Sequence, residues 1–112
     1  MNTGEIVIAG NPNAGKTSVY NRLTGAVQQV SNYPGVTVEF VCAQMRHGGQ
    51  SYTVVDLPGT YSLTAYSQEE LVARNYIVER KPALIVNVVD ASNFERNLYL
   101  TSQLAEMRVP LL

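Results

Sequence analysis

Eight residues near the start of the chain, Gly10-Asn11-Pro12-Asn13-Ala14-Gly15-Lys16-Thr17, match the pattern G-x-x-x-x-G-K-[ST] without deviation. Glycines at such spacing let the backbone wrap so that successive N–H groups point at phosphate oxygens. A helix starting there adds the positive end of its dipole. Lys16 supplies a mobile charge for β and γ phosphates, Thr17 offers a hydroxyl to Mg²⁺, and Ser18 extends the contact set. Chance alone would give this pattern on the order of a few times per thousand chains of this length.

Two further groups gain meaning from their distance to this loop. Asp56-Leu57-Pro58-Gly59 lies about forty residues downstream, after an apolar run. Asp56 there can hold magnesium through water, and the Gly59 N–H can sense a γ phosphate. Taken alone, an Asp before Pro-Gly is ordinary turn chemistry. Thr37, in Pro34-Gly35-Val36-Thr37-Val38-Glu39, lies between these motifs. A hydroxyl on a mobile loop would complete the magnesium shell only while the γ phosphate is present, so that hydrolysis releases the loop. Strand propensity explains a lone Thr equally well.

The elements that must position these residues can be read from periodicity. Glu5 to Ala9 is a short buried strand feeding the loop, and a short helix starts at Lys16 and ends by Gly25. Ala26 to Gly35 reads as loop. Val36 to Met45 and Gln50 to Leu57 form a β-hairpin around a His47-Gly48-Gly49 turn, with His47 in solvent. Thr60 to Gln68 is a second polar loop. A helix follows, with Glu69 and Glu70 in its first turn, running to about Arg80 before Pro82. Ala83 to Val89 is a central strand, and Asp90-Ala91-Ser92 caps a helix over Phe94 to Met107, where Leu100, Leu104 and Met107 face inward. Asn97, Gln103 and Glu106 are then left for water. Val109 to Leu112 resembles the start of another strand. Alternating strands and helices predict one α/β domain, three layers deep.

Composition limits the function classes. At 112 residues, 46% hydrophobic and 15% charged, the chain is an ordinary globular one. A net charge of −1 gives no broad footprint for nucleic acid, so an anion must be held locally. The single cysteine, Cys42, excludes an internal disulfide and reads as a half-buried strand residue. No apolar stretch approaches the roughly 18 to 20 residues that span a bilayer, and no secretion signal opens the chain.

The order P-loop, Gly35-Val36-Thr37, Asp56-Leu57-Pro58-Gly59 resembles translation-factor-like GTPases. More closely, the chain resembles the N-terminal cytosolic G domain of the ferrous iron transport protein B family, FeoB. The segments that carry this are Gly10-Asn11-Pro12-Asn13, Asn32-Tyr33-Pro34-Gly35-Val36-Thr37-Val38-Glu39, Asp56-Leu57-Pro58-Gly59-Thr60-Tyr61-Ser62-Leu63 and Glu95-Arg96-Asn97-Leu98-Tyr99-Leu100-Thr101. The resemblance implies a Ras-like P-loop NTPase fold that binds GTP or GDP with Mg²⁺ and hydrolyses GTP. Asn13, Lys16, Thr37 and Gly59 would then serve catalysis. Thr17, Thr37 and Asp56 would serve Mg²⁺. It also implies that Asn13 helps hold a K⁺ ion beside the phosphates, stabilising transition-state charge where other GTPases use an arginine finger. Thr60 stands where Ras-type enzymes place a water-orienting Gln, so slow intrinsic turnover is expected and backbone groups of Gly35-Val36-Thr37 are left to orient the water.

The same resemblance places the domain at the cytoplasmic face of the inner membrane, attached to the parent protein's membrane part, with no nucleic-acid partner. An N-K-x-D-like base-reading motif is not found by Leu112, so a partial G domain is expected, one that binds nucleotide weakly and exposes apolar surface near Val109 that favours self-association. Other readings remain at the level of sequence: a soluble ribosome- or RNA-associated assembly GTPase, a nucleotide-binding switch with negligible hydrolysis, or an adenine-specific P-loop enzyme.

Overall fold

A computed structural model describes residues 4–12, 14–24, 29–32, 38–64, 67–107 and 109–112, the segment 29–32 by its backbone. Strand β1 (Gly4–Gly10) runs into the P-loop and helix α1 (Lys16–Thr24). Next come β2 (Gln29–Asn32), β3 (Glu39–His47) and β4 (Gln50–Asp56). Helix α2 (Gln68–Arg80), strand β5 (Leu84–Val88) and helix α3 (Phe94–Ala105) complete the order.

The five strands form one sheet in the order β2-β3-β4-β1-β5. β1 pairs in parallel with β4 and β5, while β3 is antiparallel to both its neighbours. Ile8 pairs with Asp56 and Gly10 with Val88, so the carboxyl ends of three parallel strands lie along one edge. Ligands of open α/β sheets bind at that edge.

Strand alternation sends successive side chains to opposite faces, which divides the core. Val7, Ala9, Val55 and Ile85 face α2 and α3, joining Tyr76, Ile77, Leu100 and Leu104. Ile8 and Val54 face the other way and meet Tyr20 of α1. The expected three layers are thus α2 and α3, the sheet, and α1.

Four expectations change. Gln29–Asn32 is an edge strand, not loop, and it exists through its pairing with β3 rather than any pattern of its own. The hairpin turn is two residues long, Gly48 and Gly49 at φ +61° and +81°, so His47 pairs with Gln50 and ends a strand. The first hairpin strand begins at Glu39. Asn97 is buried, and Gln103 is half-buried with a backbone partner. The expected next strand is begun: Leu112 donates its N–H to Ile85 O, and Leu111 bridges Ile85 in parallel. Cys42 is half-buried in β3.

Candidate functional site

β1 delivers Gly10 to the sheet edge, and the backbone there has no room for a side chain. A Cβ on Gly10 would lie 2.7 Å from Val88 O and 3.1 Å from Lys16 Cγ. Gly15 differs: its φ of +95° turns the chain into α1, while a Cβ would meet open space. The turn closes with Ala14 N–H donating to Asn11 O, and α1 begins with Val19 N–H donating to Gly15 O. The first N–H groups of a helix have no partner within it. Here they border an open concavity of about 330 Å³ lined by Gly15, Lys16, Thr17 and Ser18. This is the shape and polarity an anion requires.

The D-x-x-G segment is docked onto this loop. Leu57 donates its N–H to Ile8 O at 3.2 Å and Thr60 to Gly10 O at 3.0 Å. Gly59 backs directly on Pro12, whose Cα would be 2.9 Å from a Cβ at position 59. Lys16 Nζ reaches across to Asp56 Oδ1 at 2.9 Å, with the two side chains only 11% and 13% exposed. An ion pair so nearly removed from water depends on its geometry to offset desolvation. An ammonium has three donors, so Lys16 can keep Asp56 and still offer hydrogen bonds to phosphate oxygens.

Of the sequence-predicted site residues, the structure therefore brings together Gly10, Asn11, Pro12, Ala14, Gly15, Lys16, Thr17 and Ser18 with Asp56, Leu57, Pro58 and Gly59. Leu57 is buried and serves the core rather than the concavity. Asn13 and the segment Gly35, Val36 and Thr37 lie outside the described residues. The Thr17 hydroxyl and Asp56 carboxylate are hard oxygen donors of the kind Mg²⁺ takes. Among the described residues no group of three or more His, Cys, Asp or Glu forms a metal cluster.

Other residues emerge only in three dimensions. Asn11 is 3% exposed, and neither amide atom has a partner among the described residues. It borders a polar cavity of about 120 Å³ with Asp90, Asn93 and Asn97, room for the ordered water that such an amide needs. Asn97 accepts from Asp90 N–H and donates to Asn93 O, fixing α3 to the end of β5. Asp90 accepts from the Ser92 hydroxyl and N–H, and these bonds hold its carboxyl below the ordinary value. Glu70 accepts from Ser62 Oγ at 2.7 Å and from Thr64 Oγ1 at 3.3 Å, which ties the loop after Gly59 to α2. The signal for Asn97 was present in the sequence: the stripe Leu104, Leu100 continues one turn back to position 97.

With this geometry, the chain's relatives can be placed. A family model described as ferrous iron transport protein B matches residues 4–112. The chain is 53% identical over 107 residues to the Fe(2+) transporter FeoB of Methanocaldococcus jannaschii, an overlap covering 96% of the chain and 16% of that protein. The G domain of the T. maritima FeoB iron transporter superposes with a TM-score of 0.91 at 41% identity, covering 98% of this chain and 69% of that one. A GDP-bound mutant of the S. thermophilus FeoB G-domain gives 0.89 at 49% identity, covering 97% and 42%. The chain spans 13% to 16% of the length of the first curated relatives it matches.

Proposed function

The chain belongs to the ferrous iron transport protein B family, and from that premise we propose that it is the phosphate-binding part of a G domain that binds GTP, hydrolyses it to GDP and phosphate, and thereby regulates an attached Fe²⁺ transporter at the cytoplasmic face of the inner membrane. The supporting observation is the docking of the D-x-x-G segment on the P-loop, with Lys16 and Asp56 paired at 2.9 Å across the junction. GDP is bound in a solved relative of this fold.

In this reading the P-loop N–H groups and the α1 dipole bind the β phosphate, and Lys16 bridges β and γ oxygens. Thr17 and Asp56, with Thr37, would hold Mg²⁺, which supplies charge neutralisation between the phosphates. Phosphate oxygens and water would complete a shell for which these residues give too few ligands. Gly59 offers its N–H to the γ phosphate, and Lys16 stabilises charge as the bond to the leaving phosphate breaks. Asn13 would hold K⁺, and the Gly35-Val36-Thr37 backbone would orient the attacking water.

The test is GTP hydrolysis by the full-length protein. Lys16→Ala is expected to lower kcat/KM by at least roughly a hundredfold, as loss of a charge-stabilising donor does. K⁺ should stimulate turnover over Na⁺, and Asn13→Ala should remove that stimulation. Absence of GTPase activity, or full activity in Lys16→Ala, would contradict the assignment; indifference to K⁺ would remove Asn13 from it.

A further inference from the structure

The loop that follows Gly59 is fastened to α3 by contacts that lie outside the concavity at the start of α1. Arg96 lies over the ring of Tyr61, its guanidinium carbon 4.2 Å from the centroid. Two turns along the same face, Gln103 Oε1 accepts the Leu63 N–H at 2.6 Å, and Leu63 is sunk in the larger core. Leu100, buried, stands between them, so positions 96, 100 and 103 make one stripe toward the loop. The helix is a firm anchor. Asn97 binds Asp90 and Asn93, and Asn87 donates to Thr101 Oγ1 at 2.6 Å.

Residues 60 to 63 are therefore held from both sides. Thr60 is bonded to the P-loop through Gly10, while Tyr61 and Leu63 are held by α3. Tyr61 is 40% exposed, so burial alone does not place it. Its described ring partner is a guanidinium, whose flat face can stack on an aromatic ring as an ammonium cannot.

We infer that Arg96 is a positioning residue for phosphate chemistry, acting through Tyr61 to keep Gly59 and Thr60 seated on the P-loop. The inference rests on the GTPase function proposed above. Gly59 is already packed against Pro12 backbone atoms, so small departures of residues 60 and 61 move the N–H that must meet a γ phosphate. Reaction rates are sensitive to displacements of that size. A loose loop would bind diphosphate unchanged and turn over triphosphate slowly.

In the full-length protein, Arg96→Ala is expected to lower kcat for GTP about three- to tenfold, with KM and the Kd for GDP within about twofold. Arg96→Lys keeps the charge and should recover only part of the loss. Tyr61→Phe, which keeps the ring, should track the unsubstituted protein. Tyr61→Leu should reproduce the Arg96→Ala loss, and the Arg96→Ala/Tyr61→Leu pair should be no worse than either alone. Hydrogen exchange at the Tyr61 to Leu63 amides should be faster in Arg96→Ala. Unchanged kcat in Arg96→Ala, equal losses from Tyr61→Phe and Tyr61→Leu, or additive losses in the pair would overturn the assignment. If the unsubstituted protein hydrolyses no GTP, the proposed function fails by itself, and exchange decides the rest: acceleration at Leu63 supports the Arg96 contact, and unchanged exchange overturns it.

Discussion

At the scale of single residues, the site is set by two places where backbone meets backbone. Gly10 has Val88 O, and Gly59 has Pro12, where a Cβ would have to sit. Neither neighbour is the end of a flexible side chain, so an added methyl must push the strand or the loop. Gly10→Ala and Gly59→Ala are each expected to cost about 1 to 3 kcal/mol, the range of overpacking a close contact. Urea denaturation checks this, and an unchanged midpoint in either variant would show that the contact yields. Gly15→Ala would act differently, through its φ of +95° rather than through collision. Gly10 and Gly15 were legible in the sequence through the P-loop spacing and Gly59 through its place after Asp56. The backbone neighbours that exclude a side chain at Gly10 and Gly59, Val88 and Pro12, come from distant parts of the chain and were not. The contacts of Arg96, Gln103 and Glu70 were not legible either, since each is an ordinary helical polar residue until the fold places Tyr61, Leu63 and Ser62 beside it.

At the scale of elements, α2 shows how ends and one buried phenol tie a helix to the sheet. Ser67 accepts the Glu70 N–H at its start and caps it. Its end carries Lys81 at φ 47°, whose N–H bonds Ile77 O. A non-glycine residue in that conformation is strained, so Lys81→Gly is expected to raise stability by about 0.5 to 1 kcal/mol in thermal or urea unfolding. No gain would mean the Lys81 side chain contributes as much as the strain costs. Along the same helix, burial pushes the Tyr76 phenol up to about 12; the Glu5 carboxylate and its hydrogen bond add to the shift, and Arg80 opposes it. The folded value lies above the unfolded one of about 10, so this contribution is complete below pH 10 and is lost as pH rises toward 12. Roughly 2 to 3 kcal/mol is at stake, at about 1.4 per unit. Tyr76→Phe should make the alkaline decline shallower when unfolding is followed between pH 9 and 12, a range of about three units. Burial raises Tyr20 in the same direction, so some slope should remain. The helices and the paired strands were readable from periodicity, whereas β2 was not, because an edge strand of four residues is defined by its partner rather than by its own sequence.

At the scale of the whole molecule, the two faces of the sheet are unequally built. The α2 and α3 face buries residues from three strands, two helices and the loop at Leu63. The α1 face rests on Ile8, Ala43, Val54 and a single buried side chain of its helix, Tyr20. Yet α1 is the helix that carries Lys16, Thr17 and Ser18 to the concavity proposed to hold phosphate. Tyr20 is therefore the main buried anchor of that helix, with the half-buried Val19 packed beside it. Tyr20→Ala is expected to cost about 3 to 5 kcal/mol, as aromatic truncations in a core do, and to weaken phosphate binding with it. The hydroxyl is a separate matter, since Tyr20 Oη is buried with no hydrogen bond of normal distance and angle among the described residues. A buried donor left unmade is a burden on the folded state, so Tyr20→Phe should be neutral or stabilising by up to about 1 kcal/mol. Calorimetric or urea unfolding of both variants separates ring from hydroxyl. A destabilised Tyr20→Phe would mean that the hydroxyl has a partner in solution, and an unaffected Tyr20→Ala would mean that α1 is held by something other than this ring.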